Sequence, residues 1–176
     1  CNSYKAAAEA LRIDLQHLSN NETFIRPSKD AAEKRRQKQV ENNQRLINYA
    51  HKIWQACKDI NVENSLAQKY FTSRGIHNVK ERSIRFHPAI KNKELNAAIP
   101  AILFKVQVSP EAELSAIHRI YLTKDGRKAN VMSPKMALAR IVGSGIWFGE
   151  PNEQLAIAEG PENALTARYC YNFPFV

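Results

Sequence analysis

The chain has 176 residues, 44% hydrophobic and 24% charged, which leaves room for one large domain or two small ones around a real core and excludes a disordered chain. No apolar run approaches the roughly 18 residues of a membrane span, and the opening Cys1-Asn2-Ser3-Tyr4-Lys5 lacks the charged-then-apolar order of a signal peptide. Twenty-six Lys and Arg stand against 17 acids, a net charge of +9 that favours a polyanionic partner through phosphate contacts and counterion release.

Residues 3–13 have helical spacing, with Tyr4, Ala7, Ala8 and Leu11 recurring on one side. A polar linker follows, through Asn20-Asn21-Glu22-Thr23 and Arg26-Pro27-Ser28. From about Ser28 to Cys57 the pattern predicts one long helix, with Asp30 and Glu33 as a capping-type start. Its second half carries an apolar stripe of Leu46, Ile47, Ala50, Ile53, Trp54 and Cys57, so that half is expected to pack on a core. Its first half has no stripe. Residues 26–52 hold eight basic against three acidic residues, among them Lys34, Arg35 and Arg36. A projecting basic helix of this kind can lie along phosphates; a solvated linker helix is the blander alternative.

A second helix is expected over Val62 to Ser73, closed by Gly75 in a left-handed cap. The period then changes to that of strands: Ile84 to Pro88, Ala101 to Val108, Leu114 to Thr123, and Lys128 to Met132 returning after the Asp125-Gly126 hairpin turn. Residues 84–132 therefore read as a small, mostly antiparallel sheet. Alternation puts His118, Ile120 and Leu122 on one face and Ile117, Arg119 and Tyr121 on the other, with Arg119 and Lys128 expected as neighbours on a hairpin face, either as a phosphate contact or as an exposed cross-strand pair. His87 and His118 fit structural histidines, and Trp54 and Trp147 fit core anchors, better than functional roles. Gly145 to Gly149 is a short apolar strand, and residues 150–153 are a loop.

Leu155 to Ala158 is a continuous apolar run, suited to a strand covered on both faces, and it ends at Glu159. Gly160 makes the turn and Pro161 opens a helix through Ala164, Leu165 and Ala167. A carboxylate at the carboxyl end of such a strand accepts a proton or holds a divalent metal; a helix-capping glutamate is the alternative. Glu162, in the first helical turn, suits the helix dipole. The three cysteines, Cys1, Cys57 and Cys170, are far apart with no Cys-x-x-Cys. They form no zinc ribbon within the chain and fit unpaired thiols in a reducing cytoplasm.

The stretch from Leu155 to Ala167 resembles the opening strand, elbow and helix of a TOPRIM domain, the module of bacterial primases, topoisomerases and some nucleases. Glu159 matches the family's catalytic glutamate and Gly160 the glycine after it. Residues 48–167 resemble phage and plasmid primase-like proteins through Ile53-Trp54-Gln55-Ala56, Ala67 to Ile76, Ile84 to Pro88, Ile117 to Leu122, Asp125-Gly126 with Lys128-Ala129, and the Glu-Gly elbow, in that order. Cys1 to Leu11 resembles the helix that follows the zinc ribbon in such primases.

The resemblance implies an α+β chain in three parts: residues 1–27 after an absent zinc ribbon, residues 28–152 as a helical and antiparallel β region, and residues 153–176 as the start of a truncated TOPRIM domain. It implies a primer-making nucleotidyltransferase of a phage, plasmid or mobile element, cytoplasmic and without membrane attachment. Single-stranded DNA and nucleoside triphosphates would be its partners, with a replicative helicase as a further one. Mg²⁺ would be held partly by Glu159, and zinc only by the upstream ribbon. Arg74, Arg119, Lys128, Lys135, Lys34, Arg35 and Arg36 would contact nucleotide or nucleic acid. The family's Asp-x-Asp pair is missing, since Asp14, Asp30, Asp59 and Asp125 are far apart, so the chain alone is expected to be inactive. A non-catalytic nucleic-acid-binding remnant of a decayed primase gene, or part of a TOPRIM nuclease or topoisomerase, are the competing readings.

Overall fold

A computed structural model describes residues 28–60, 65–172 and 174–176. The expected helix over 3–13, its linker and the first residues of the helix expected from Val62 lie outside them. The chain divides into two compact units, residues 1–38 and 39–176, the division falling within the long helix.

That helix, α1, spans Lys29–Gln55. Ser28 begins it, its Oγ accepting the Ala31 N–H at 3.2 Å. The cap is therefore Ser28 rather than the expected Asp30–Glu33 pair, and Asp30 instead complements the dipole in the first turn. Residues 32–42 are all exposed, whereas Ala50, Ile53 and Trp54 are buried, so the apolar stripe packs as its spacing requires.

The helix α2, Leu66–Thr72, is capped by Ser65, whose Oγ accepts the Gln68 N–H. It closes as expected at Gly75, which takes φ +73°; Ile76 N–H donates to Phe71 O and Gly75 N–H to Thr72 O, the paired bonds of a Schellman turn.

Five antiparallel strands form a meander in chain order: β1 (Lys58–Asp59), β2 (Ile84–Asn92), β3 (Ala97–Val106), β4 (Ala116–Tyr121) and β5 (Lys135–Leu138). The expected strand ending at Pro88 continues to Asn92. Proline has no N–H for the ladder, so the register shifts between His87 and Ile90 and pairing resumes beyond. After the Asp125-Gly126 turn the expected return strand shrinks to one bridge, Leu122 to Lys128; the strand that pairs with β4 is β5.

Alternation along β3 and β4 separates two apolar clusters. On one face Leu103, Ile117 and Tyr121 meet Ala50, Ile53 and Trp54 of α1. On the other, Ile102, Phe104, Ile120 and Leu122 meet Tyr70 and Phe71 of α2, Phe148, and Ala164 and Leu165 of a third helix, α3 (Pro161–Tyr171). Residues of 153–176, among them Ala164, Leu165 and Phe175, thus share a core with the sheet.

Around α3 the chain makes a small parallel pairing. Ala156 N–H donates to Pro174 O, Ala158 N–H to Val176 O and Val176 N–H to Ala156 O, each at 3.0 Å. Phe175 also pairs antiparallel with Phe148. Residues 156–158 therefore run parallel to 174–176 with α3 as the connection. They are not covered on both faces, since Ile157 is 81% exposed.

Candidate functional site

The first turn of α3 presents two carboxylates with opposite surroundings. Glu159, just before the helix, is exposed on the rim of a cavity of about 540 Å³. Val106, Ile146, Trp147, Phe148 and Val176 supply apolar wall, and Glu159 and His118 are its ionisable lining groups. Trp147 is fixed there by donating its Nε1–H to Gln107 O at 3.1 Å. Burial, aided by the nearby Lys135 charge, lowers the His118 imidazole below its ordinary value. Its Nε2 is buried with no hydrogen-bond partner among the described residues.

Glu162, one turn on, is only 7% exposed. Tyr70 donates its hydroxyl to Oε1 at 2.6 Å, and Lys135 donates from Nζ to Oε2 at 2.6 Å. Arg74 Nε stands 3.9 Å from Oε1, with its guanidinium over the Tyr70 ring at 4.8 Å. Burial alone would raise this carboxyl's pKa, but the Lys135 and Tyr70 hydrogen bonds and the two positive charges outweigh it and hold it below the ordinary glutamate value. Burial and the bond to Glu162 push the Tyr70 hydroxyl far up, so it stays a donor. One carboxylate thereby ties together α2, β5 and α3.

Two residues expected from sequence to meet phosphates, Arg74 and Lys135, are brought together here. The others are dispersed. Arg119 is 8% exposed, on the α1 face of the sheet, with Nη2 donating to Ala137 O at 3.2 Å and Nε without a hydrogen-bond partner among the described residues. Lys128 stands opposite Leu122, on the other face of the sheet from Arg119, so the expected Arg119–Lys128 pair does not form. Lys34, Arg35 and Arg36 are exposed on the first half of α1. Gly160 is the N-cap of α3 with φ −145°, an extended conformation open to any residue, and a Cβ there would meet nothing within 4 Å. The elbow therefore does not depend on glycine for its shape. Glu162 carries more of the site than its sequence reading as a dipole partner allowed, because its partners Tyr70 and Lys135 are 92 and 27 residues away along the chain.

Cys57 and Cys170 are free thiols; Cys57 donates to Ile53 O at 3.1 Å, and burial pushes its pKa up to about 11, which leaves it inert. Among the described residues no three His, Cys, Asp or Glu side chains cluster as metal ligands, and Glu159 by itself does not make a magnesium site. No helix among them is long and apolar enough to cross a membrane.

The family model of a domain of unknown function, DUF7146, matches residues 44–148. The chain belongs to this family. No curated protein and no solved structure matches it. The DUF7146 region runs from the second half of α1 through the sheet to Phe148, and so contains Tyr70, Arg74, His118 and Lys135. Glu159 and Glu162 lie beyond it, and Glu162 joins the two parts through its bonds to Tyr70 and Lys135.

Proposed function

We propose that the chain is part of a TOPRIM-type primase-like nucleotidyltransferase that joins nucleotides on single-stranded DNA, in the replication of a phage, plasmid or other mobile element. The observation that carries this reading is the parallel pairing of residues 156–158 with 174–176 across α3, with Glu159 at the carboxyl end of the first segment and on the rim of a cavity. An extended segment, a carboxylate, a helix and a second extended segment paired parallel to the first follow the order of the unit in which open α/β sheets put ligands at strand ends, which supports this reading. The net charge of +9 and the exposed Lys34-Arg35-Arg36 run fit a phosphate-bearing partner.

In this reading Glu159 accepts the proton of an attacking hydroxyl or contributes one ligand to Mg²⁺. The further carboxylates that such a metal requires would come from polypeptide outside these 176 residues, so the chain by itself binds nucleic acid without joining nucleotides. A replicative helicase is the protein partner that primer synthesis would call for, and the cytoplasm its setting.

The test is primer synthesis on a single-stranded template by the protein that carries this chain, wild-type and Glu159→Gln. Loss of synthesis by roughly a hundredfold or more with the melting temperature unchanged is expected of a general base; undiminished synthesis removes Glu159 from the reaction. Nicking of a duplex in place of primer synthesis would favour the nuclease or topoisomerase reading, and neither activity would favour the binding remnant.

A further inference from the structure

From the shared attachment of Arg74 and Lys135 to Glu162 we infer a two-cation site for a phosphate group, separate from Glu159. It deepens the nucleotidyltransferase reading, and rests on that reading only for the source of the phosphate: the tail of a nucleotide or the backbone of a DNA strand.

The charge balance carries the argument. Glu162 offers one negative charge to two cations. Its Oε2 takes a single Lys135 N–H, and Arg74 approaches Oε1 only by Nε at 3.9 Å, too long for a good hydrogen bond. Among the described residues, two ammonium hydrogens of Lys135 and the guanidinium N–H groups of Arg74 not turned to Tyr70 or Glu162 remain for another acceptor. The side chains of Lys135 and Arg74 keep 39% and 38% of their surface exposed, while Glu162 lies beneath them. Solvent or a ligand therefore meets donors, not the carboxylate.

Both cations are also held in place. Arg74 belongs to the Schellman turn that closes α2 and lies over the Tyr70 ring. Lys135 lies opposite Ile120 in the sheet. Rigid donors lose little freedom on meeting a phosphate, and a guanidinium fork beside an ammonium matches its oxygens. The N-cap of α3 beside Glu162 is Gly160, which has no side chain to cap it, so the helix dipole adds to the positive field.

The experiment titrates the 176-residue chain with inorganic tripolyphosphate, without divalent metal, by calorimetry. Saturable binding of one tripolyphosphate per chain is expected. Arg74→Gln and Lys135→Gln should each weaken it about tenfold, while Lys93→Gln, an exposed lysine of the β2–β3 turn, should not. No saturable binding, or equal weakening by Lys93→Gln, overturns the site.

A second measurement needs no variant. Tripolyphosphate should slow acetylation of Lys135 by acetic anhydride relative to Lys93, read by mass spectrometry; unchanged relative rates overturn the site. ATP and a single-stranded oligonucleotide as competing ligands then separate the two sources, since the true one protects Lys135 at the lower concentration. If neither protects, the site is overturned. Primer synthesis could be absent while tripolyphosphate binding persists, or the reverse, so the two proposals fail separately.

Discussion

The Tyr70 hydroxyl and the Glu162 carboxylate, 92 residues apart, meet at 2.6 Å and join α2 to α3 across the core. A charged acceptor makes this a strong bond, and its loss leaves a buried carboxylate short of one donor. Tyr70→Phe should cost about 1.5–3 kcal/mol in urea unfolding, with the slope m unchanged. A loss below about 0.5 kcal/mol would mean that water replaces the hydroxyl freely.

Acid should act on the same carboxylate. The native pKa of Glu162 lies below the ordinary 4.5, because Lys135, Tyr70 and Arg74 together overcome the opposing effect of burial. A depressed native pKa means that the folded state prefers the charged form. The stabilisation is therefore full above the ordinary value and is lost as pH falls through the lower native one. Glu162→Gln should lower stability at pH 7 and flatten the dependence as pH falls below the ordinary glutamate value. An unchanged acid limb in thermal melts would show that other carboxylates govern it.

The main architecture was legible where side chains declare a period. The stripe ending in Ala50, Ile53 and Trp54, the Gly75 closure and the alternation through Ile117 to Leu122 follow from spacing alone. Three things were not legible. Pro88 reads as a strand end, yet a bulge lets the ladder continue to Asn92. The partner of β4 is Lys135–Leu138 rather than the sequence-adjacent 128–132, because register is set by long-range packing. The Glu162 site draws on residues 70, 74, 135 and 162, whose meeting no local pattern encodes.

Two of the glycines, Gly126 and Gly160, should respond in opposite ways. Gly126 has φ +84°, and a Cβ there would come within 3.2 Å of Leu66 O and 3.1 Å of Lys69 Cβ. Gly126→Ala combines left-handed strain with crowding on α2, and should cost about 1–3 kcal/mol. Gly160 has an extended backbone and open space, and it is the N-cap of α3 without a side-chain bond. Gly160→Ser should be neutral or stabilise by a few tenths of a kcal/mol. Denaturant midpoints of the two variants decide this, and a large loss at Gly160 would point to a backbone constraint other than φ.

Arg119 offers a test of what burial does to a cation. Its Nε is buried without a hydrogen-bond partner among the described residues, while Nη2 donates to Ala137 O and the guanidinium stands 5.6 Å from the Tyr121 ring. Methionine fills a similar length without a charge to desolvate. Arg119→Met should leave stability within about 1 kcal/mol or raise it. A loss above about 2 kcal/mol in chemical denaturation would show that the guanidinium is better satisfied than this geometry implies.

The basic first half of α1 makes the last prediction, for strand binding. Lys34, Arg35 and Arg36 are exposed, and residues 32–42 make no apolar stripe, so replacing the three with Gln leaves the core untouched. If they neutralise phosphates of single-stranded DNA, the slope of log K against log salt should shrink by about 0.7 for each phosphate left unneutralised, roughly 2 in all. Fluorescence anisotropy of a labelled oligonucleotide between about 50 and 200 mM salt measures that slope. An unchanged slope with unchanged affinity would return this stretch to an ordinary solvated helix and leave strand binding to the sheet-bearing unit.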